Sequence, residues 1–273
     1  MSFKILPCSI FLIHLSIISS LSAQESIPEG RSNSNSLSLG FGASNFHLLD
    51  KHATFLIFRG TGISPSIGYT HNSIRSEHSV NGEFYYDNLK SSSDNYKTEI
   101  YGGQFRYSYL RKLRHENSFG STGISVTSYY NKANYKFDMQ NILAHAIESW
   151  YWCHSIDLAI KLEKDLGKNK VEMKLFIPLV SNVSRPEYSS SGNYDYEKND
   201  WVTRPFGKTV FLTKSPGIDT RLKYSHGISD KIRLNAEYEF RYAQYKSPEL
   251  IRFYMNNVRL GLSFSFNNYQ DEN

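Results

Sequence analysis

Alternation of apolar and polar residues is the dominant pattern of the chain from Asn35 onward. In the clearest stretch, near the end, the alternating apolar positions are Val258, Leu260, Leu262, Phe264 and Phe266. A period of two places successive side chains on opposite faces of an extended strand, whereas a helix spaces its apolar residues three and four positions apart. The pattern therefore predicts an all-β protein.

Ten stretches of this kind predict ten strands. They cover residues 35–46, 60–71, 77–88, 97–112, 117–130, 150–164, 169–180, 216–227, 230–245 and 253–266. Many contain 12 to 16 residues, whereas strands of soluble sandwiches have about 5 to 6 and a tilted strand that crosses a bilayer needs roughly 9 to 11. The lengths favour membrane-spanning strands. Eight or twelve strands are the alternatives, according to how segments 53–58 and 208–213 are assigned.

The connections between these strands alternate in length. The short ones are 72–76, 113–116, 165–168 and 228–229, and the long, polar ones are 47–59, 89–96, 131–149, 181–215 and 246–252. Short turns on one side and long loops on the other are typical of outer-membrane barrels. We predict an antiparallel transmembrane β-barrel over residues 35–266, with periplasmic turns and extracellular loops. The long connection 181–215 is a lid over the mouth, a binding surface, or a loop without a role of its own.

Aromatic residues make up 15% of the chain and cluster near strand ends. Those next to the long connections are Tyr85, Tyr86, Tyr129, Tyr130, Trp150, Tyr151, Trp152, Tyr242, Tyr245, Phe253 and Tyr254. Those near the opposite ends are Tyr107, Tyr109, Phe119, Phe264 and Phe266. Tyr and Trp prefer the bilayer interface, where the ring contacts lipid and its polar edge contacts headgroups. We therefore expect two aromatic belts. The alternative is cross-strand aromatic pairing in a soluble sheet.

A sheet that spans lipid has to close, because unpaired backbone groups are costly there, and its polar face then points inward. The charged residues on the alternating polar positions are Glu83, Arg106, Asp157, Lys161, Glu163, Glu172, Lys174, Asp219, Arg221, Lys223, Arg233, Glu237, Glu239, Arg241 and Arg259. These are eight cations and seven anions. Side chains fill barrels of about 8 strands, and an aqueous channel needs about 16. We expect salt bridges between these residues to plug the lumen. The alternative is a narrow path through the lumen, in which these charges bind a solute.

The amino terminus has the three regions of an export signal. Lys4 precedes a mostly apolar stretch, 5–18, and small residues follow up to Ala23. Cleavage after Ala23 would remove a signal peptide of residues 1–23 and leave a periplasmic segment, 24–34, before the barrel. A membrane anchor is the alternative, but the stretch is short for one.

Composition narrows the classes further. The chain of 273 residues has a net charge of +5 without basic runs, which gives no reason to expect nucleic acid as a partner. Its mean hydropathy of −0.47 argues against a bundle of transmembrane helices. Cys8 lies in the predicted signal, so Cys153 alone remains in the mature chain and a disulfide framework is excluded. We expect no metal and no cofactor, since no phosphate loop or zinc-type spacing is present.

Histidines and carboxylates near two long connections are the only candidates for catalysis. They are His47, Asp50, His52, His145, Glu148 and His154. A His/carboxylate pair at the extracellular rim would suit an outer-membrane hydrolase. The spacing matches no known motif, so we regard the protein as non-catalytic and keep the hydrolase as the alternative. A secreted soluble β-protein is a third hypothesis.

The chain resembles the outer-membrane β-barrel proteins of Bacteroidota. The resemblance lies in a signal that ends in Ser22-Ala23-Gln24, a strand-rich body, and the closing run 258–266 followed by a tail, 267–273. It implies an integral protein of the cell outer membrane, in contact with outer-membrane lipids and inserted by the barrel-assembly machinery through 258–266. We expect a monomer that acts through its surface loops or as a narrow or plugged channel, because such barrels have many functions.

Overall fold

The computed structural model describes residues 34–51, 53–91, 96–115, 118–137, 147–186 and 207–267. Its strands are β1 (Ser34–Asp50), β2 (Ile57–Ile63), β3 (Ser66–Asn72), β4 (Ser76–Ser91), β5 (Tyr96–His115), β6 (Ser118–Phe137), β7 (Ile147–Leu166), β8 (Asn169–Ser184), β9 (Lys208–Phe211), β10 (Gly217–Gly227), β11 (Ile232–Tyr245) and β12 (Ile251–Asn267). Neighbouring strands are antiparallel, and β12 pairs with β1 from Ser34 opposite Asn267 to Asp50 opposite Ile251. The sheet closes into a barrel, which confirms the predicted fold class.

Two of the strand positions in the barrel wall are each occupied by two consecutive strands. β2 and β3 both lie between β1 and β4 and are separated at Ser64 and Pro65, where the proline has no N–H to donate to the ladder. β9 and β10 both pair with β8, and β10 continues to β11. The twelve strands of the described residues thus occupy ten strand positions around the barrel, the number that the alternation predicts. The segments 57–58 and 208–211 lengthen predicted strands and add no further position.

The apolar face of the strands changes side along the barrel. On β1, Leu39 and Phe41 face outward and are 48% and 62% exposed, whereas Phe46 and Leu48 face inward and are buried. On β12, Leu260 is exposed outside while Phe253 is buried inside. Near the short turns the wall is apolar outside, as lipid requires, and near the long connections it is apolar inside, as in a soluble barrel.

The predicted aromatic belt next to the long connections is partly wrong, because the apolar face points inward there. The residues of that belt that are buried inside the barrel are Tyr85, Tyr129, Tyr151, Tyr245 and Phe253. The members that lie on outward-facing positions are Tyr86, Tyr130, Trp150, Trp152, Tyr242 and Tyr254. Consecutive residues of a strand face opposite sides, so neighbours such as Tyr85 and Tyr86 cannot share a belt. In the opposite belt, Tyr107, Tyr109 and Phe266 are exposed. The side chain of Phe119 lies outside the described part.

The predicted signal peptide, residues 1–23, and the tail from 268 onward lie outside the described residues. No segment that the structure describes is a helix of the length and hydrophobicity needed to cross a membrane.

Candidate functional site

The middle of the barrel interior contains a balanced cluster of four arginines and four carboxylates, the central ion cluster. Its members are Arg106, Arg221, Arg241, Arg259, Glu83, Asp219, Glu237 and Glu239. Arg259 spans it, because its Nη2 is 2.7 Å from Glu83 Oε2 and its Nη1 is 2.7 Å from Glu237 Oε1. Arg106 Nη2 lies 2.7 Å from Asp219 Oδ2. Buried charges need such partners, and each charge of the cluster has an oppositely charged neighbour.

A second cluster, the basal ion cluster, lies nearer the short turns. It contains Lys161, Lys170, Lys174, Glu77, Glu163 and Glu172. Lys161 is 3% exposed and pairs with three carboxylates, those of Glu77, Glu163 and Glu172. Three ammonium groups face three carboxylates in this cluster, and Lys223 on β10 lies opposite Glu172 in the register as a further cation of this level.

Asp157 lies beside the central ion cluster in a cradle of hydroxyl groups. Ser125 Oγ, Thr127 Oγ1 and Ser155 Oγ donate hydrogen bonds of 3.0, 2.5 and 2.6 Å to its carboxylate. Thr127 Oγ1 also accepts a hydrogen bond of 3.0 Å from Arg106 Nε. The carboxylate is therefore fixed by its neighbours.

Five aromatic side chains form a layer across the lumen above the central ion cluster, the aromatic layer. They are Phe46, Tyr85, Tyr129, Tyr151 and Phe253. Four of them make a closed cycle of ring contacts, with centroid distances of 5.6 Å (Phe46–Tyr85), 6.2 Å (Tyr85–Tyr129), 5.2 Å (Tyr129–Phe253) and 5.6 Å (Phe253–Phe46). Tyr85 and Tyr129 also share a hydrogen bond of 2.6 Å between their hydroxyl groups. Because Phe46 and Tyr129 come from opposite walls, β1 and β6, the cycle crosses the barrel.

A buried ion pair, the mouth ion pair, lies at the end of the barrel that carries the long connections. Arg185 Nη2 is 2.7 Å from Asp50 Oδ1, and both side chains are at most 2% exposed. Ser149 Oγ donates a bond of 2.5 Å to Asp50 Oδ2, and Arg185 Nη1 donates one of 2.9 Å to the carbonyl oxygen of Glu249. The pair connects the ends of β1, β7 and β8 with the connection before β12.

A cavity of about 70 Å³ lies between the aromatic layer and the central ion cluster. It is lined by Arg106, Asp157, Tyr151 and, at the wall, by Pro178 and Pro216. The wall pairing changes here, because β9 ends opposite Val180 and β10 begins its pairing with β8 at Phe176. A space of this size accommodates about two water molecules.

The predicted lumen charges all lie on the inner face of their strands. Those that belong to the two ion clusters, or to the cradle in the case of Asp157, are Glu83, Arg106, Asp157, Lys161, Glu163, Glu172, Lys174, Asp219, Arg221, Glu237, Glu239, Arg241 and Arg259. Arg233 alternates with Leu234 on β11 and shares the inner face with buried Asn235 nearer the short turns.

Four features of the interior were not predicted from the sequence: Glu77, Lys170, Arg185 and the aromatic layer. Glu77 stands at a strand start, and Arg185 follows β8 in a region assigned to a loop. The layer had a detectable pattern, since the phase of the alternation shifts by one residue between Phe41 and Phe46. That shift moves the apolar residues from the outer face to the inner face.

The candidate catalytic residues do not meet in the described residues. β1 extends to Asp50, so His47 lies on its outer face and Asp50 on its inner face. His47 stacks on Tyr254 at 4.2 Å, and its Nδ1 is 2.6 Å from the Tyr254 hydroxyl.

The other candidate catalytic residues lie away from the His47–Tyr254 contact. Glu148 Oε2 lies 2.8 Å from Lys132 Nζ, and the ring of His154 lies 5.5 Å from that of Trp152 on the outside of β7. His52 and His145 fall outside the described residues. Among the described side chains, no group of three or more His, Cys, Asp and Glu is placed to hold a metal ion.

Cys153 is a free thiol on the inner face of β7, packed against the buried apolar side chains around the aromatic layer.

Comparisons with known proteins identify the fold. No protein-family model matches the chain, and no curated protein matches its sequence. Among solved structures, the outer membrane protease OmpT from Escherichia coli matches with a TM-score of 0.52 and 10% identity, over 89% of this chain and 100% of that chain. The translocator domain of the autotransporter NalP from Neisseria meningitidis matches with a TM-score of 0.52 and 10% identity, over 95% and 96%. The protein therefore has the fold of the outer-membrane β-barrels.

Proposed function

We propose that this protein is an integral outer-membrane barrel of the Bacteroidota type, non-catalytic, closed to solutes, and active through its extracellular face. In this proposal the signal peptide 1–23 is removed on export and the mature protein is a monomer. The exposed apolar outer face, which includes Phe41, Val258 and Leu260, contacts outer-membrane lipid.

The aromatic layer is the observation that carries the proposal. Its four-ring cycle joins opposite walls, and the central and basal ion clusters fill the lumen beneath it. A hydrated path would have to displace packed rings and separate neutral ion clusters, and both changes are costly in a buried interior. A narrow channel is the less favoured role.

Reconstitution in a planar bilayer tests this closure. The mature protein is purified from the outer-membrane fraction and shown to be folded by its heat-modifiable gel mobility. We expect no conductance steps. Regular steps from the folded protein would contradict the closed lumen, and recovery of the protein in the soluble fraction would contradict the membrane location.

Deletion of residues 187–206 tests whether the extracellular face is the active part. The deletion joins the end of β8 to β9, which already pair at Val183 and Lys208. We expect the truncated barrel to fold and to lose adhesion or ligand capture that the whole chain shows on cells. If adhesion and ligand capture are unchanged, the deleted segment 187–206 has no role in either.

The hydrolase alternative has a direct test. Ala replacement of His47, His52, His145 and His154 is expected to leave the processing of envelope lipids and peptides unchanged. Loss of such an activity in the folded variant would replace the non-catalytic proposal.

The closing run 258–266 is proposed as the segment that the barrel-assembly machinery recognises. It supplies the outer apolar face of β12, and this strand completes the ring by pairing with β1. Replacement of Val258 and Leu260 by polar residues is expected to reduce insertion of the barrel into the outer membrane.

A further inference from the structure

Four basic residues form a continuous row across the outside of the barrel near the long connections. In the sheet register Arg59 lies opposite Lys90, Lys90 opposite Lys97, and Lys97 opposite Lys136. All four side chains are exposed on β2, β4, β5 and β6. With neighbouring strands about 4.8 Å apart, this cation row is about 14 Å long.

Like charges directly opposite each other destabilise a sheet, so a row of four requires an explanation. Lys136 is neutralised within the protein, since its Nζ is 2.6 Å from Glu99 Oε1. A fifth cation, Lys132, lies four residues below Lys136 and pairs with Glu148 at 2.8 Å. Among the described side chains named here, five cations face two carboxylates. The surface has an excess of positive charge centred on Arg59, Lys90 and Lys97.

The cation row has a defined height relative to the aromatic belt next to the long connections. Tyr86 on β4 lies four residues below Lys90, and Tyr101 on β5 lies four residues below Lys97. Four residues of a tilted strand correspond to about 10 Å along the membrane normal. The belt marks the edge of the hydrocarbon, so the row lies within reach of the headgroup layer on the side of the long connections.

We propose that this surface binds phosphate groups of outer-leaflet lipid headgroups, through Arg59, Lys90 and Lys97 with Lys136 at the end of the row. Phosphate oxygens accept charge-assisted hydrogen bonds from guanidinium and ammonium groups. A lipid that carries more than one phosphate matches a row of this length and cancels the repulsion between neighbouring cations. The proposal rests on the proposed membrane orientation and is independent of the closed lumen.

The test measures lipid binding to the detergent-solubilised mature protein by native mass spectrometry. The probe is a diphosphorylated disaccharide lipid, and the comparison is the same lipid without its phosphates. The variant is Lys90→Gln/Lys97→Gln. The matched control is Arg111→Gln/Lys164→Gln, which also removes two cations and lies at the opposite rim; Arg111 is on the same outer face of β5 as Lys97.

We expect the variant to bind the phosphorylated lipid at least about tenfold more weakly than the wild type and the control. We also expect binding to weaken when NaCl is raised from about 50 to about 500 mM. Equal binding by the variant, or equal binding of the dephosphorylated lipid, would overturn the proposal.

Two further outcomes would also overturn it and would identify another ligand. Complete displacement of the lipid by millimolar inorganic phosphate would indicate a site for the free anion. Binding of a sulfated polysaccharide without binding of the lipid would indicate a soluble polyanion. Heat-modifiable mobility and the absence of conductance in the same preparation report on the proposed function separately, so failure of one proposal is distinguishable from failure of the other.

Discussion

Gly102 determines how closely Tyr85 approaches the barrel wall. A Cβ atom at this position would lie 2.4 Å from the Tyr85 hydroxyl oxygen and 2.2 Å from the Tyr130 carbonyl oxygen, both far inside van der Waals contact. A glycine on β5 therefore makes room for a ring on β4, and the Tyr85–Tyr129 hydrogen bond depends on that space.

We predict that Gly102→Ala lowers the free energy of unfolding by about 1–3 kcal/mol, because it forces Tyr85 out of the aromatic layer. Urea unfolding in detergent measures the change. Gly82→Ala is the control, since its Cβ would meet only the Ile67 methyl group at 3.6 Å. Equal effects of the two substitutions would refute the packing argument.

The mouth ion pair predicts a second residue effect. Asp50→Asn leaves the Arg185 guanidinium buried without its countercharge, which costs about 3–5 kcal/mol in comparable sites. The same unfolding measurement applies. The double variant Asp50→Leu/Arg185→Met, which removes both charges, is expected to recover most of the loss. An Asp50→Asn protein as stable as the wild type would show that the pair contributes nothing.

At the scale of the strands, the change of apolar face divides each long strand into a lipid-facing part and a water-facing part. Phe105 on β5 is 55% exposed between the two aromatic belts. Asn88 on β4 is exposed beyond Tyr86, a member of the belt next to the long connections, and lies opposite Glu99. The same charged substitution should have different consequences at these two positions.

We predict that Phe105→Arg destabilises the inserted barrel by about 2–4 kcal/mol, as a cation near the bilayer midplane does. Asn88→Arg should be nearly neutral, because it faces headgroups and water and is placed to pair with Glu99. The folded fraction in lipid vesicles, followed by heat-modifiable mobility over a urea series, compares them. Similar losses at both sites would mean that the belt positions are misassigned.

The strand pattern explains how far prediction from the sequence extends. The alternation in segments such as 258–266 predicts both the lipid face and the charged lumen, because each requires one residue type on one face. It does not distinguish Tyr85 from Tyr86, since an aromatic residue suits an interface and a core equally well. It also gives no partner for Asp50, because Arg185 is 135 residues away and a single sequence contains no pairing information.

At the scale of the whole molecule, the proposed closed lumen has two closures in series: the aromatic layer above, and the two ion clusters below. Arg241 connects them, since its guanidinium carbon lies 5.2 Å from the centre of the Tyr129 ring. In this proposal either closure alone blocks the lumen, which is narrow in a barrel of ten strand positions.

We therefore predict that conductance appears only when both closures are removed. Phe46→Ala/Phe253→Ala should remain closed. Glu83→Ala/Arg259→Ala combined with Glu77→Ala/Lys161→Ala, which removes a pair from each ion cluster, should also remain closed, while the variant that combines all six substitutions should show steps in a planar bilayer. Each variant is first shown to be folded by its gel mobility. Steps of equal size in the aromatic variant and the sixfold variant would mean that the ion clusters do not block the lumen.

The aromatic cycle also has a consequence for assembly. Its rings come from β1, β4, β6 and β12, so it contains residues from the first and the last strand of the chain. Contacts between such distant segments form late, after loop closure between them. The cycle is therefore complete only when β12 docks on β1, so the event that closes the wall of the barrel also closes this layer of its lumen.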